Sequence, residues 1–134
     1  MKRIFAAVLG AALFTAACSD PVAPVTPTPA TPTSTDVFSD TLFVRGSNTH
    51  QFTVGTIGGV KVSLTSVEPG AAVGLGIGTP SFGSCNVIDK VEAVAGPSVQ
   101  LSGTATIPGS YCVIIYDLGN LVEPAVYTIN VLHS

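Results

Sequence analysis

One hundred and thirty-four residues can build one core of ordinary size and are too few to bury two. Only 10% of them are charged, tryptophan is absent, and Val, Thr, Ser, Gly and Ala dominate, a composition of pleated strands and turns rather than helices. With Lys2 and Arg3 assigned to a leader, three basic residues (Arg45, Lys61, Lys90) face eight acidic ones, a balance of −5. That excludes the basic stripe on which nucleic-acid binding depends.

The chain opens with a short positive stretch, Met1 to Arg3, followed by fourteen uncharged residues from Ile4 to Ala17, rich in Ala, Leu and Phe. That run is shorter than the ~20 residues needed to span a bilayer and fits the apolar region of a secretory signal, so 1–17 reads as a signal peptide. Ala16 and Ala17 precede Cys18, an arrangement that resembles the lipobox of bacterial lipoproteins, in which the cysteine is acylated and becomes the new N-terminus. Thr15 stands where that pattern usually has Leu, and cleavage after Ala17 by an ordinary signal peptidase is the alternative. The resemblance implies lipidation at Cys18 and a membrane partner reached through the N-terminal lipid. It also implies residence in the bacterial cell envelope, with the outer membrane favoured because Ser19, not Asp, follows the cysteine.

In an exported chain an odd cysteine is either paired with another molecule or specially used. If Cys18 carries lipid, Cys85 and Cys112 remain as a disulfide pair closing a loop of about 28 residues, the alternative being two buried thiols.

Residues 18–37 form the next unit, a lipidated Cys followed by a Pro/Thr-rich linker. Five prolines and five threonines fall between residues 19 and 36, with almost no large apolar side chain. Proline fixes φ and lacks an N–H, so the stretch should lie extended, reaching at most roughly 55 Å.

From 38 to 134 the hydrophobic period changes to two. In "VKVSL" Val60, Val62 and Leu64 share one face, and in "SVQLSGTATI" Val99, Leu101, Gly103, Ala105 and Ile107 do. "YCVIIY" is apolar on both faces, as a covered central strand is. Turn signals at short intervals divide the region into about eight strands: 40–45, 49–55, 59–67, 72–78, 86–94, 98–107, 110–117 and 125–132. This pattern predicts an all-β fold, an antiparallel β-sandwich.

The segment "GTATIPGSYCVIIYDLGNLVEPAVYTINVLH" resembles the C-terminal half of the bacterial pre-peptidase C-terminal domain family. Gly109, Ser110, Tyr111, Val113, Ile115 and Tyr116 match one strand motif of that family, and Tyr127, Thr128, Ile129 and Val131 match its final strand. "HQFTV" and "VKVSLTS" are similar to its early strands. The resemblance implies a non-catalytic, jelly-roll-like sandwich of a kind usually appended to exported enzymes, though no enzyme domain accompanies it in this sequence. Some relatives bind calcium and an extracellular fibre.

Chemistry-bearing residues are sparse. Only His50 and His133 could serve as bases, and neither a G-x-S-x-G elbow nor an H-E-x-x-H motif occurs, so catalysis is not expected. "GLGIG" at Gly74 to Gly78 lacks the spacing and the following helix of a phosphate loop. It reads instead as Val73, Leu75 and Ile77 facing the core while the glycines leave the other face bare for an aromatic neighbour, a bulge or a ligand strand. Calcium is the cofactor whose hard-oxygen preference the chain could meet, with Asp89, Asp117 and Asn120 as candidate ligands and Glu92 and Glu123 as further oxygen donors. Asp and Asn are equally turn residues in their own right.

The expected protein is a non-catalytic envelope lipoprotein, a surface-displayed sandwich acting as a structural or interaction module. The alternative is an extracellular module that binds a polysaccharide or protein fibre, with calcium or without it. Tyr116, Phe82 and Phe43 are the aromatics from which a binding platform could be built.

Overall fold

The computed structural model describes residues 21–26, 28 and 31–134; the signal peptide expected at 1–17 and the lipidation expected at Cys18 lie outside the described residues. Eight strands follow in order: β1 (Ser34–Leu42), β2 (Ser47–Val54), β3 (Gly58–Glu68), β4 (Val73–Ser81), β5 (Ser84–Ala93), β6 (Leu101–Ala105), β7 (Gly109–Tyr116) and β8 (Ala125–His133). They form two four-stranded antiparallel sheets, ordered β1-β8-β3-β6 and β2-β7-β4-β5. This is an eight-stranded jelly roll, in which consecutive strands repeatedly change sheet.

The core lies between the sheets and follows the period-two reading. Val60, Val62 and Leu64 of β3, Val73, Leu75 and Ile77 of β4, and Val113 and Ile115 of β7 are all buried. Each fully buried Val, Leu or Ile contributes roughly 1.5–3 kcal/mol relative to an exposed one. At one margin β1 faces β2, with the Phe38 ring stacked on His50 at 4.7 Å. At the other margin β6 faces β5 across a cavity of about 90 Å³ lined by Val60, Ile77, Ile88, Asp89 and Tyr111.

Strand ends differ from the sequence reading in two places with clear causes. The first strand begins at Ser34, inside the Pro/Thr-rich stretch, rather than at residue 40. Pro32 is the last proline, and beyond it Thr33 donates its N–H to the His133 carbonyl (2.9 Å), after which Ser34 to Leu42 pair with β8. The strand expected at 98–107 shrinks to Leu101–Ala105, leaving Val99 and Ile107 exposed. The Gln100 side chain takes over from the backbone there. Its Oε1 accepts the Leu64 N–H (2.7 Å), while its Nε2 donates to the carbonyls of Leu64 (3.1 Å) and Val94 (3.2 Å).

The glycines of β4 are occupied by their neighbours. Gly74, Gly76 and Gly78 stand opposite Tyr116, Ile114 and Cys112 of β7. A Cβ on Gly74 would fall inside the Tyr116 ring, and one on Gly78 would strike the backbone carbonyl of Asn86. Both an aromatic neighbour and a bulge are present, the register slipping between Ile77 and Gly78 so that Ile88 is the extra residue of β5.

Beyond that bulge the β4–β5 hairpin bends over the sheet's outer face. Strands two apart in a sheet sit about 9.5 Å from each other. Yet the Cα atoms of Cys85 and Cys112 are 5.8 Å apart and their sulfurs are bonded. The folded arm and its disulfide cover the outer side of β7, which explains why Cys112 is fully buried there.

Candidate interaction surface at the loop end

Strand directions alternate, so the loops divide between two ends of the sandwich. Loops 55–57, 82–83 and 106–108 gather at the end where the linker enters at Ser34. Loops 43–46, 69–72, 94–100 and 117–124 gather at the far end.

Asp117 locks the far end. Its Oδ2 accepts the Arg45 N–H (2.8 Å), and its Oδ1 accepts the N–H groups of Gly119 (2.9 Å), Asn120 (3.0 Å) and Leu121 (3.1 Å). The Asp117 N–H in turn donates to the Gly46 carbonyl (3.0 Å), and Asn120 Nδ2 donates to the Ala72 carbonyl (2.9 Å). Three separate loops are thereby joined. Arg45 (φ 60°) and Gly119 (φ 94°) take left-handed conformations, and an N–H at each is among those that Asp117 accepts. The Arg45 N–H, ahead of those of Leu121, Gly119 and Asn120, holds the Asp117 carboxyl below the usual aspartate range.

The sign follows from linkage. A depressed carboxyl stabilises the folded loops above its unfolded-state range, and that contribution is lost as pH falls through the lower folded value. Asp117→Asn keeps one acceptor but places an NH₂ beside the Arg45 N–H. Faster amide hydrogen exchange at Arg45 is the expected result, with the sheet amides unchanged.

The locked loops present large apolar side chains alongside the exposed charges of Arg45 and Glu123. Phe43 and Val44 of the first loop, and Leu118 and Val122 of the last, are exposed, Val122 at 94%. Beside Val122 is a recess of about 40 Å³ lined by Pro69, Ala71, Asn120 and Leu121. Large apolar side chains fixed on rigid loops mark an interaction surface more often than a free one.

The remaining sequence-derived candidates sit as follows. Asp89 lies on β5 at the sheet margin, where its Oδ1 accepts the Lys90 N–H (2.9 Å), and the fold does not bring it to Asp117 and Asn120. Three N–H donors converge on Asp117 Oδ1 and a fourth reaches Oδ2, and among the described residues no group of three or more His, Cys, Asp or Glu could hold a metal ion. The three aromatics do not form one platform. Phe43 and Tyr116 are near the far end, Tyr116 lying across Gly74, whereas Phe82 is on the β4–β5 turn at the linker end.

Both histidines lie at the β1–β2 margin without a serine or cysteine nucleophile bonded to them. His133 Nε2 meets Asp36 Oδ2 (2.9 Å). His50 Nε2 meets the buried Tyr127 hydroxyl (2.6 Å), which also accepts from Asn48 Nδ2 (3.0 Å). With Asn48 donating to the Tyr127 oxygen, the hydroxyl proton is free to be given to His50 Nε2, an arrangement that suits a neutral imidazole protonated at Nδ1. Burial accordingly pushes the His50 pKa below 6.5, with nearby Asp40 opposing in part. An unfolded chain therefore binds the proton more readily, and stability is lost as pH falls below about 6.5. His50→Gln should flatten the pH dependence of the urea midpoint between about pH 7 and 5 relative to the parent.

Sequence reasoning missed Leu118 and Val122 as displayed residues. Their signal was available in "DLGNLVEP", where two large apolar side chains stand among turn formers. No protein-family model matches the chain, and no curated protein is similar to it.

Proposed function

We propose that this chain is a non-catalytic, lipid-anchored envelope lipoprotein whose sandwich presents its far loop end to an extracellular partner. The observation that carries the proposal is the polarity of the domain. The linker enters at one end, and at the opposite end three loops joined through Asp117 and Asn120 hold Phe43, Val44, Leu118 and Val122 outward. The anchor itself rests on the leader and Cys18. Two or three acyl chains at Cys18 would hold durably, where one holds weakly. An outward-facing apolar surface favours a protein over a polysaccharide, which would call for hydroxyl-matching polar groups.

Intact mass spectrometry of protein purified from its native membrane tests the anchor. The expected mass is that of a chain beginning at Cys18 with two or three acyl chains. A chain recovered unlipidated from the medium overturns it. Photo-crosslinking amino acids at Leu118 and Val122 test the surface in intact cells. Adducts are expected at both, and none at Lys61 on the sheet; equal labelling at all three positions overturns the assignment.

A further inference from the structure

The linker end carries its own apolar surface. Phe82 is fully exposed on the two-residue turn between Ser81 and Ser84. Phe82 (φ 48°) and Gly83 (φ 78°) are both left-handed, as a tight hairpin turn of this kind demands. Asn, Asp or Gly normally fills the first of these positions, and a bulky aromatic there is strained. A side chain that is at once strained and completely exposed is poorly accounted for by stability. The same end displays Ile107, at 67% exposure, and Ile57, at 37%.

None of the side chains in loops 55–57, 82–83 and 106–108 is charged. Asp36, the acidic side chain nearest the start of β1, is paired with His133. The disulfide fastens the arm that bears Phe82 to β7, so the side chain is held on a stapled support and not on a loose loop.

We propose that this end, through Phe82, Ile107 and Ile57, dips into the interfacial zone of an uncharged or zwitterionic lipid bilayer. The inference rests on the lipid-anchored reading above. The chain enters the fold at Thr33 on this end, so an anchor at Cys18 leaves fourteen residues of linker between the lipid and Pro32's neighbourhood. A tether of that length keeps this end within roughly 45 Å of the bilayer, so docking becomes an intramolecular step for which a weak affinity suffices. Three exposed apolar side chains on loops that carry no charged side chain suit lipid better than a polar partner. The balance of −5 disfavours a strongly anionic surface. Docking would hold the far loop end a strand's length from the membrane, facing outward.

The chain has no tryptophan, so a single introduced one reports without interference. Phe82→Trp, Ile107→Trp and Phe43→Trp are made separately in the full lipidated chain and reconstituted into phosphatidylcholine vesicles containing brominated lipid. Blue-shifted, quenched emission is expected at 82 and 107, with unshifted, unquenched emission at 43. Adding Phe82→Ser to Ile107→Trp should weaken docking about tenfold and restore emission at 107. Protein that floats with the vesicles but stays unquenched at 82 and 107 overturns this inference and leaves the anchor standing. Quenching at 43 in place of 82 overturns it too, by docking the opposite end. Lipidated protein that fails to float with the vesicles overturns the anchored reading, and this inference falls with it.

Discussion

Breaking the Cys85–Cys112 disulfide is expected to cost about 3.5 kcal/mol of folding stability on the chain-entropy estimate for a loop of this length. The bond closes a separation of 27 residues. In this fold it does more than shorten a loop. It ties the arm beyond Gly78, which leaves the hydrogen-bonded ladder with β7, onto the outer face of that strand. The double variant Cys85→Ala/Cys112→Ala should therefore show two effects in one set of measurements. Its thermal midpoint falls, and amide exchange rises first in residues 79–87, before the core strands open. A variant whose midpoint falls with uniform exchange would mean that the arm packs independently of the bond.

Placing a methyl group on Gly78 is the second large perturbation. Its Cβ would strike the Asn86 carbonyl, which is backbone and cannot rotate away. Overpacking of this kind costs about 1–3 kcal/mol and occasionally more, and the upper end is expected here because relief requires moving the β5 bulge. Gly74→Val is expected to be similarly costly by another route, expelling the Tyr116 ring from the bare backbone it covers. Gly103 supplies the internal comparison. It lies on the edge strand β6 with nothing within 4 Å of an added Cβ, so Gly103→Ala should be neutral or stabilise by about 0.4–1 kcal/mol through the unfolded chain. Denaturant midpoints for the three variants check the ordering; a Gly78→Ala protein as stable as Gly103→Ala would contradict the close approach of the two backbones.

Those glycines also show how much the sequence discloses. Alternation is a local property, so Val73, Leu75 and Ile77 announce the inward face, and the bare face between them announces a close neighbour. The identity of that neighbour is not local. Tyr116 lies about forty residues on, and only the pairing of β4 with β7 places it there. Gln100 illustrates a different loss. By periodicity it is an ordinary polar residue of a strand, yet its amide imitates a backbone and ends the strand early. Asp117 could be read from "DLGN" as a turn residue or an oxygen ligand with equal ease. What decides between them is the Arg45 N–H, delivered from a loop seventy-two positions away. The number of strands and most inner faces were thus legible, but β1 was read six residues late and the inner face of β6 reduces to Leu101 and Ala105, while the far loop end depended on contacts that no short window contains.

The outermost strand of one sheet, β1, has a single partner, and that partner is the last strand of the chain. Asp36 and His133, which meet across this seam, are 97 positions apart. β3 leans on the same β8 along most of its length. A polypeptide emerging N-terminus first, from a ribosome or from a membrane pore, thus holds β1 without a sheet partner, and β3 with β6 alone, until Ala125–His133 arrive. Long-range closure of this sort makes folding slow and late. The sheet that contains β1 cannot close before that segment is present, and loss of the segment from Ala125 onward should leave β1 unpaired and the core open on that side.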